Sequence, residues 1–490
     1  MTNLADLLPA GGGQNNTDFV ADGNISSGAP VVLNSDGKIS PISATANPAS
    51  FGSAQEFTSN AATWITSCFH AASGNMVVVY LDSGTTMYAV AGTVSGETIT
   101  WGTPAQMYAA PVTIKKIVYD SQEEVVVLFY RDIYNSNYGT YRTGSVSGTG
   151  ATAAISWNTA TSFYSGNMQA VDVVAMGGGA GVLMISNASS YTVGHRWELA
   201  SGGATLTIQG YTDFSVYATS ARWAMTEDTS TGKIIIILGA TSTAYGIVGT
   251  VTSTTPYFTI SSGSTLYSGY ISQPFITYDV AANKSLFGYF TGYGLKARVG
   301  TVDAAAGTIS FGTEVTTSFT NIVYPNAAYD TNGSASAISF QNANNSSYCD
   351  QIYGTISGTD VTFTAATTIL SKALTSTQSS STVYEPVAKK IVTSIDNSTD
   401  SDGESVVSNP AATNLTSTNL LGIASGAISD TATGTINTWG SRNEVQTSLT
   451  VGSDYYVQTD GTISTTSTSP AQLIGKAITA TQINIKDYTG

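Results

Sequence analysis

The sequence predicts an all-β protein built around a β-propeller. Its apolar segments are short, rich in β-branched residues and bounded by Gly, Asn, Ser or Asp, as strands are. No segment of useful length shows helical periodicity. A strand pattern also recurs about every fifty residues, and four strands in that length are typical of one propeller blade.

Each repeat begins with an apolar strand that ends in Tyr-Asp or a degraded form of that pair. The second residue of the pair marks the repeat, and the seven markers are His70, Asp120, Met176, Asp228, Asp279, Asp330 and Glu385. A strongly apolar strand such as 125–130 follows, then Gly-Thr-Val or a close variant, then a last strand. The third repeat is the least regular. Seven markers predict seven blades, with six as the alternative.

The seventh repeat supplies only three strands of its own. A strand at 51–57 resembles the outer strand of a blade, although it precedes the first repeat. We expect it to complete the last blade, because a closed ring leaves no open sheet edge. The propeller is therefore predicted to span residues 51–408.

The two ends of the chain do not follow the repeat. Asp36-Gly37 and Asp460-Gly461 each lie between apolar strands and predict tight hairpins. We expect residues 15–45 and 412–490 to form the N-terminal and C-terminal halves of one small discontinuous β-domain, into which the propeller is inserted. Residues 1–14 contain three consecutive glycines and are predicted to be a flexible arm.

Composition narrows the classes of partner. Among 490 residues there are 17 Lys and Arg against 32 Asp and Glu, a net charge of −15. This negative net charge argues against the binding of nucleic acid and of anionic membranes. No apolar run reaches the length of a membrane span, and the N-terminus lacks the features of a secretory signal, so we expect no Sec-type export. Cys68 and Cys349 are predicted to be small buried residues without a disulfide or zinc.

Several terminal segments carry a resemblance to a known group. They are Leu4–Gly13, Phe19–Gly23, Asp36–Lys38, Gly422–Ala424, Leu449–Gly452, Tyr455–Val457, Asp460–Thr462 and Ile474–Gly475. Together they resemble the ends of tailed-bacteriophage virion proteins, of the tail-fibre-like type found in marine phages and cyanophages. The Gly-Thr-Val-Ser-Gly repeats are similar to repeats in the same group. The resemblance implies a structural virion protein and brings no catalytic residues with it.

Hydrolase chemistry is the natural enzyme alternative for a propeller. The chain has only six arginines, and Asp82-Ser83-Gly84-Thr85 lacks the flanking residues of a sialidase Asp-box. The column Asp120, Asp228, Asp279 and Asp330 would suit paired carboxylates if it faced the channel. An aspartate that ends a strand more often caps a turn, and its recurrence in four repeats favours structure over catalysis.

The remaining polar clusters also favour structural roles. His70 and His195 are the only histidines, and we expect neither a catalytic triad nor a metal site from them. The acidic segment 396–404 has the alternating carboxylates of a calcium loop, but its glycine falls at the wrong position, so we expect an exposed hairpin tip. Loop aromatics at 134–138 and 289–293 are the candidates for stacking on a sugar or a protein. No catalytic, cofactor-binding or metal residue is assigned.

The sequence therefore predicts a non-enzymatic structural protein of a tailed-phage virion. We expect assembly in the host cytoplasm and exposure on the particle surface, as a tail fibre or similar appendage that attaches to the host. The expected partners are other virion proteins through the terminal β-domain, a host-surface glycan or receptor, and further copies in a homo-oligomer, with no nucleic acid, no membrane insertion and no cofactor. A capsid decoration protein is the alternative, and a propeller-type glycan hydrolase or lyase is the second alternative.

Overall fold

The computed structural model describes residues 15–34, 36–43, 49–82, 85–110, 112–187, 192–214, 222–292, 294–374, 380–410, 413–415, 418–467 and 472–486. Their regular structure is β-strand, apart from a short 3-10 helix at Gly150–Thr152. The prediction of an all-β chain is confirmed. The chain divides into two compact units, Ser50–Asn409 (the large unit) and Met1–Ala49 with Pro410–Gly490 (the terminal unit). The predicted arm at 1–14 lies outside the described residues.

The described residues of the large unit form seven antiparallel sheets, numbered here in chain order. Sheet 1 contains Ala62–His70, Asn75–Asp82, Thr86–Ser95, Thr98–Trp101 and Ala105–Tyr108. Sheet 2 contains Val112–Asp120, Val125–Asp132, Tyr138–Ser147, Ala154–Trp157 and Thr161–Tyr164. Sheet 3 contains Met168–Ala175, Ala180–Asn187, Thr192–Leu199 and Leu206–Asp213. Sheet 4 contains Trp223–Asp228, Lys233–Gly239, Ala244–Val251, Phe258–Ile260 and Ser264–Tyr267.

The remaining three sheets repeat the same plan. Sheet 5 contains Ser272–Asp279, Lys284–Thr291, Gly294–Asp303, Thr308–Phe311 and Val315–Thr316. Sheet 6 contains Ile322–Asp330, Ala335–Asn342, Tyr348–Ser357, Asp360–Phe363 and Thr367–Leu370. Sheet 7 contains Ser380–Glu385, Lys390–Asn397 and Asp402–Asn409, with Ser50–Phe51 and Gln55–Thr58 from the start of the unit. In six sheets the outer edge is therefore split into two short strands, and both pair with the third strand.

The second strands are continuous apolar runs because both of their faces are buried. In sheet 2, Val126, Leu128 and Tyr130 pack into the core shared with sheet 1. Val127 and Phe129, which alternate with them, pack into the core shared with sheet 3. The side-chain period of a strand is two, so one run of six apolar residues fills two neighbouring cores. The core of the large unit therefore lies between successive sheets.

The glycine of the Gly-Thr-Val motif makes room for an aromatic ring. Gly92 pairs with Trp101 on the outer strand of sheet 1, and a Cβ on Gly92 would lie 2.4 Å from the indole. The same clash, at 2.8 Å, would arise between Gly144 and Trp157 in sheet 2. The motif recurs because this ring has the same space to fill in successive sheets.

The seven sheets form a closed series. The first strand of each sheet contacts the first strand of the next, and the first strand of sheet 7 contacts that of sheet 1. Residues 50–58, which include the predicted closing strand 51–57, supply the outer edge of sheet 7: Phe51 pairs with Ser408, and Glu56 pairs with Glu404. A strand from the start of the unit thereby completes the last sheet and ties the two ends of the ring together.

The terminal unit contains two five-stranded antiparallel sheets. The first comprises Asn16–Val20, Pro30–Leu33, Ile39–Pro41, Leu420–Ala424 and Thr433–Asn437, so both ends of the chain share it. The second comprises Arg442–Asn443, Asp454–Val457, Ile463–Ser464, Gln472–Thr479 and Gln482–Ile485.

The two hairpins predicted for the terminal unit are present in these sheets. The turn at Gly37 joins Leu33 to its partner Ile39, and the turn at Gly461 joins Val457 to its partner Ile463. Both glycines have φ of +83°, in the left-handed region that this residue favours. The Asp-Gly pairs therefore act as the turn residues that the sequence predicts.

Candidate functional site

The marker aspartates are turn caps. Asp279 Oδ1 accepts hydrogen bonds from the backbone amides of Ala281 at 2.9 Å and Ala282 at 2.8 Å. The three other marker aspartates accept from the residues two and three positions ahead in the same way. All four side chains are buried beneath their own turns. This geometry agrees with the structural role predicted for the column.

Two other markers cap the same turn with a different group. The amide of Ser73 donates to His70 Nδ1 at 3.2 Å, so the ring of His70 replaces the carboxylate in sheet 1. In sheet 7 the carboxylate of Glu385 accepts from the amides of Val387 and Ala388. His70 therefore caps the turn at the marker position of sheet 1, a role that its place in the repeat alone does not predict.

Two of the tyrosines that precede a marker, Tyr278 and Tyr384, lie across the junction between two sheets. Burial raises the pKa of Tyr278, whose hydroxyl lies beside Ser230 and Asp228 in the turn of sheet 4. Burial also raises the pKa of Tyr384, whose hydroxyl lies beside Thr331 in the turn of sheet 6. Both tyrosines thus reach back to the turn of the preceding sheet.

A cavity of about 800 Å³ is lined by residues from the first strands of all seven sheets. The residues before the markers form one level of its lining, termed here the tyrosine tier. This tier consists of Phe69, Tyr119, Ala175, Glu227, Tyr278, Tyr329 and Tyr384. Five of the seven are aromatic, and one is a carboxylate. Because they occupy one repeat position on adjacent strands, they surround the same stretch of the cavity.

A second level of the lining, termed the polar tier, lies three residues earlier on each strand. Its polar members are Thr66, Lys116, Asp172, Asn326 and Ser381. Strands rise about 3.3 Å per residue, so the two tiers are about 10 Å apart along the strands.

Side chains of the polar tier accept hydrogen bonds from backbone amides on the unpaired edges of neighbouring first strands. The amide of Ile117 donates to Thr66 Oγ1 at 3.2 Å, and the amide of Ser67 donates to Ser381 Oγ at 3.0 Å. The amide of Met225 donates to Asp172 Oδ2 at 3.0 Å. The inner edge of a first strand has no further strand to pair with, so these side chains satisfy amides that would otherwise lack a partner.

Three charged residues lie among the described residues of the cavity lining. Lys116 Nζ is 3.6 Å from Asp172 Oδ1, so these two charges compensate each other within the polar tier. Glu227 belongs to the tyrosine tier, and burial, followed by the charge of Asp228, raises the pKa of its carboxyl. The tyrosine tier therefore carries one acidic group that no described basic residue of its own tier offsets.

Three of the first strands are irregular near their start, in or next to the cavity lining. Trp64, Gln273 and Tyr324 have φ of 54°, 48° and 52°, which is unfavourable for residues with a side chain. Each lies at a register shift in its strand pair. The amide of Tyr324 donates to Gln273 Oε1 at 2.6 Å, which fixes two of these bulges relative to each other. Bulges redirect side chains and are frequent beside functional sites.

The loop aromatics have two different environments. Tyr134 is 79% exposed, as expected for a residue available for stacking. The same expectation was wrong for Tyr289, which is fully buried and donates its hydroxyl hydrogen to Glu314 Oε2 at 2.6 Å. Successive side chains of a strand point to opposite faces, and Tyr289, like Phe287, points into the core between sheets 4 and 5. Tyr293 lies outside the described residues.

The acidic segment 396–404 is a hairpin whose tip is exposed and whose two ends are buried. Residues 398–401 are exposed, but Asp396 and Glu404 are buried, so the prediction of a solvated hairpin is correct only for the tip. Glu404 is paired with Lys372 Nζ at 3.0 Å, which accounts for its burial. In the described part of the chain, no group of three or more His, Cys, Asp or Glu is arranged to hold a metal ion.

The remaining predicted structural residues lie inside or beside the strands. Cys68 and Cys349 are buried, as predicted, and both are free cysteines whose pKa is raised by burial. His195 lies 2.6 Å from the carbonyl oxygen of Gly210 through Nδ1, and burial lowers its pKa. Within the described ranges, no helix has the length and apolar character needed to cross a membrane.

The two tiers were not identified from the sequence. The Tyr-Asp pairs were recognised, but a role was considered only for the aspartate. The signal was the identical repeat position of five aromatic residues and Glu227. Equal repeat positions on neighbouring strands predict a shared level, and that reasoning would have placed these residues together.

Comparisons with known proteins identify no family for this chain. No family model matches it, and no curated protein matches it. Similar solved structures include a protein of unknown function from Dyadobacter fermentans (10% identity, 74% of this chain and 98% of that chain, TM-score 0.42). Others are Sqt1 from Chaetomium thermophilum (8%, 72% and 82%, 0.44) and a protein from Lactobacillus plantarum (11%, 73% and 96%, 0.44). The architecture described above rests on the strand pairing and contacts of this chain itself.

Proposed function

We propose that the large unit is a seven-bladed β-propeller and that the protein is a structural component of a tailed-phage virion. In this proposal each of the seven sheets is one blade. The propeller is displayed on the particle, most simply by a tail fibre or similar appendage, and attaches to a glycan on the host surface. The terminal unit binds other virion proteins or further copies of the chain.

The cavity in the large unit is the observation that carries the attachment proposal. It has a volume of about 800 Å³, within the range of small-ligand sites. Five of seven side chains in one tier of its lining are aromatic rings, and five of seven in the other tier are hydroxyl, amide or charged groups. Sugars present apolar faces and hydroxyl edges, which such a lining matches by stacking and hydrogen bonding.

The charges support binding over glycan hydrolysis. Paired carboxylates for glycoside hydrolysis lie about 5 to 9.5 Å apart. Asp172 and Glu227 are the two acids of the described lining, and they lie on different sheets and in different tiers. Asp172 is in addition engaged by Lys116 and by the amide of Met225. Glycan binding without cleavage is therefore the simpler function for this lining.

Immunogold labelling of intact particles tests the virion proposal. An antibody raised against residues 60–400 is applied to phage particles that contain this chain. Gold on the tail or its fibres is the expected result. Gold spread over the head would overturn the attachment role in favour of capsid decoration, and particles without label would overturn the virion proposal.

Glycan binding is measured on the purified full chain with an array of bacterial surface glycans. We expect binding that is weakened by Tyr278→Leu in the tyrosine tier and unchanged by Tyr134→Leu, whose ring lies on an exposed loop. A matching loss with Tyr134→Leu alone would move the site out of the cavity. Release of reducing ends from a bound glycan would overturn the proposal of a non-enzymatic protein.

A further inference from the structure

The tyrosine tier combines aromatic rings with a single acidic group. Phe69, Tyr119, Tyr278, Tyr329 and Tyr384 line the cavity from five sheets, and Glu227 lines it from a sixth. The rings are partly buried or buried, so they are held in place rather than free in solvent. A rigid group of aromatic rings binds a ligand at a low cost in side-chain entropy.

The electrostatics of this tier favour a positively charged ligand. The face of an aromatic ring carries partial negative charge, so several rings around one space attract a cation. Glu227 adds a carboxylate to the same tier. Lys116, the basic residue of the described lining, lies in the other tier and is 3.6 Å from Asp172.

The partial burial of Glu227 favours the binding of a cation beside its carboxylate. Its side chain is partly removed from water, and burial raises the pKa of its carboxyl, with Asp228 contributing in the same direction. A bound cation would offset both effects, because it supplies the opposite charge that the described lining of this tier lacks.

We propose that the tyrosine tier is a binding site for an organic ammonium group. The group is a primary or quaternary ammonium carried on a small polar body, such as an amino sugar or a choline-type substituent. Glu227 pairs with the charge, and the aromatic rings surround the carbon atoms attached to the nitrogen. The inference deepens the proposed function, and rests on it for the claim that this ammonium group belongs to a host glycan.

Calorimetric titration of the purified full chain tests the site with four probes. Glucosamine and choline carry the ammonium, and N-acetylglucosamine and 3,3-dimethylbutanol are their neutral counterparts. We expect both cations to bind at least about tenfold more tightly than their neutral counterparts, a difference of about 1.4 kcal/mol. Equal affinity for charged and neutral probes, or no binding of either cation, would overturn the inference. Binding by only one of the two cations would identify the source of the ammonium and support the site.

Two variants with the same change in net charge locate the effect. Glu227→Gln keeps the shape of the side chain and is expected to remove the preference for the charged probes. Asp303→Asn alters an exposed turn of sheet 5, outside the cavity lining, and is expected to leave the preference unchanged. An unchanged preference in Glu227→Gln would overturn the assignment to the tyrosine tier.

The inference and the proposed function fail in different experiments. Glycan-array binding to sugars without an ammonium group would sink the inference while leaving host attachment intact. Preference for the charged probes together with unlabelled phage particles would retain the site and remove the virion role.

Discussion

In sheet 6 a glycine on the third strand faces an aromatic ring on the outer strand, whereas in sheet 3 the aromatic ring is on the third strand and faces a glycine on the second strand. Gly354 pairs with Phe363, and a Cβ on Gly354 would lie 2.8 Å from that ring. In sheet 3 the third-strand position is Trp197, and Gly181 on the second strand lies opposite it. Both arrangements fill the space between adjacent sheets. The same space between adjacent sheets is filled in each case, but the strand that carries the aromatic ring differs.

The turns of the same two sheets differ for a similar reason. In sheet 6 the carboxylate of Asp330 accepts from the amides of Asn332 and Gly333. Sheet 3 has Met176 at this position, which cannot cap, and its turn has three glycines with φ between +67° and +73°. The amide of Met176 instead donates to the carbonyl oxygen of Ala180 at 3.0 Å. A turn without a capping side chain is therefore built from residues that tolerate the left-handed conformation.

The regular and irregular sheets also contribute different side chains to the cavity. Sheets 5, 6 and 7 each place a tyrosine in the tyrosine tier, whereas sheets 3 and 4 place Ala175 and Glu227 there. The tyrosines join neighbouring sheets, so the regular sheets reveal how the unit is constructed. The departures from the pattern introduce the carboxylate and a smaller side chain, so the irregular sheets give the cavity its chemical asymmetry.

The largest expected effect tests the second-strand glycine of sheet 3, Gly181. A Cβ on Gly181 would lie 2.0 Å from the backbone oxygen of Val174 and 2.5 Å from Trp197, so relief requires the backbone to move. We expect Gly181→Ala to lower the free energy of unfolding by about 3 kcal/mol, and Gly354→Ala by about 1 to 2 kcal/mol, because the latter meets a ring edge. Urea unfolding checks both values.

Gly292→Ala is the control for the glycine variants. Among the described residues, and its chain neighbours aside, no atom lies within 4 Å of a Cβ built on Gly292, so the unfolding free energy of this variant should match that of the wild-type chain within about 0.5 kcal/mol. Equal losses in Gly181→Ala and Gly354→Ala would contradict the difference between backbone and ring contacts.

The next effect concerns the turn caps of the regular sheets. Asp279→Ala leaves two amides of a buried cap without their acceptor and is expected to cost about 1 to 3 kcal/mol. Asp303 accepts from the amides of Ala305 and Ala306 in the same pattern, but on an exposed turn where water replaces it. Asp303→Ala is therefore expected to cost less than about 1 kcal/mol. Thermal unfolding of both variants measures the difference, and similar losses would show that burial of the cap is unimportant.

The smallest effect is a difference in pH dependence between two caps. Burial raises the pKa of Asp330, and the amides of Gly333 and Asn332 offset this only in part. Burial acts in the same direction on Asp228, but hydrogen bonds from Ser230 and Thr231 bring its pKa below the ordinary value. Asp228 therefore adds stability above the pKa of a free aspartate, about 3.9, and loses it as pH falls through its folded value. Asp330 acts in the opposite sense, because stability is lost as pH rises from 3.9 through its raised value.

Asparagine variants separate these two effects, since the amide keeps an acceptor but does not titrate. Relative to the wild-type chain, Asp330→Asn should gain stability as pH rises above about 4, and Asp228→Asn should lose stability as pH rises towards about 4. Urea unfolding between pH 2.5 and about 7 gives both slopes. Slopes of the same sign would contradict the different environments of the two carboxylates.

Much of the fold follows from local features of the sequence. Apolar runs predict the second strands, the Asp-Gly pairs predict hairpins, and the marker aspartates predict capped turns. These features depend on neighbouring residues only, so their spacing alone is informative. The exposed position of Tyr289 was predicted wrongly because strand alternation, and not the polar neighbours in sequence, decides which side chains enter the core.

The sequence by itself determined the all-β class, the seven repeats and the four aspartates that cap turns. Tertiary structure alone decided what the repeats enclose. Glu227 and Tyr384 are more than 150 residues apart, and they share a tier only because the first strands of the sheets contact one another in a closed series. The compensation of Lys116 by Asp172 likewise arises between strands of two sheets. Local spacing fixes hydrogen bonds within a turn, whereas the charge and shape of a cavity depend on contacts made after the ring has closed.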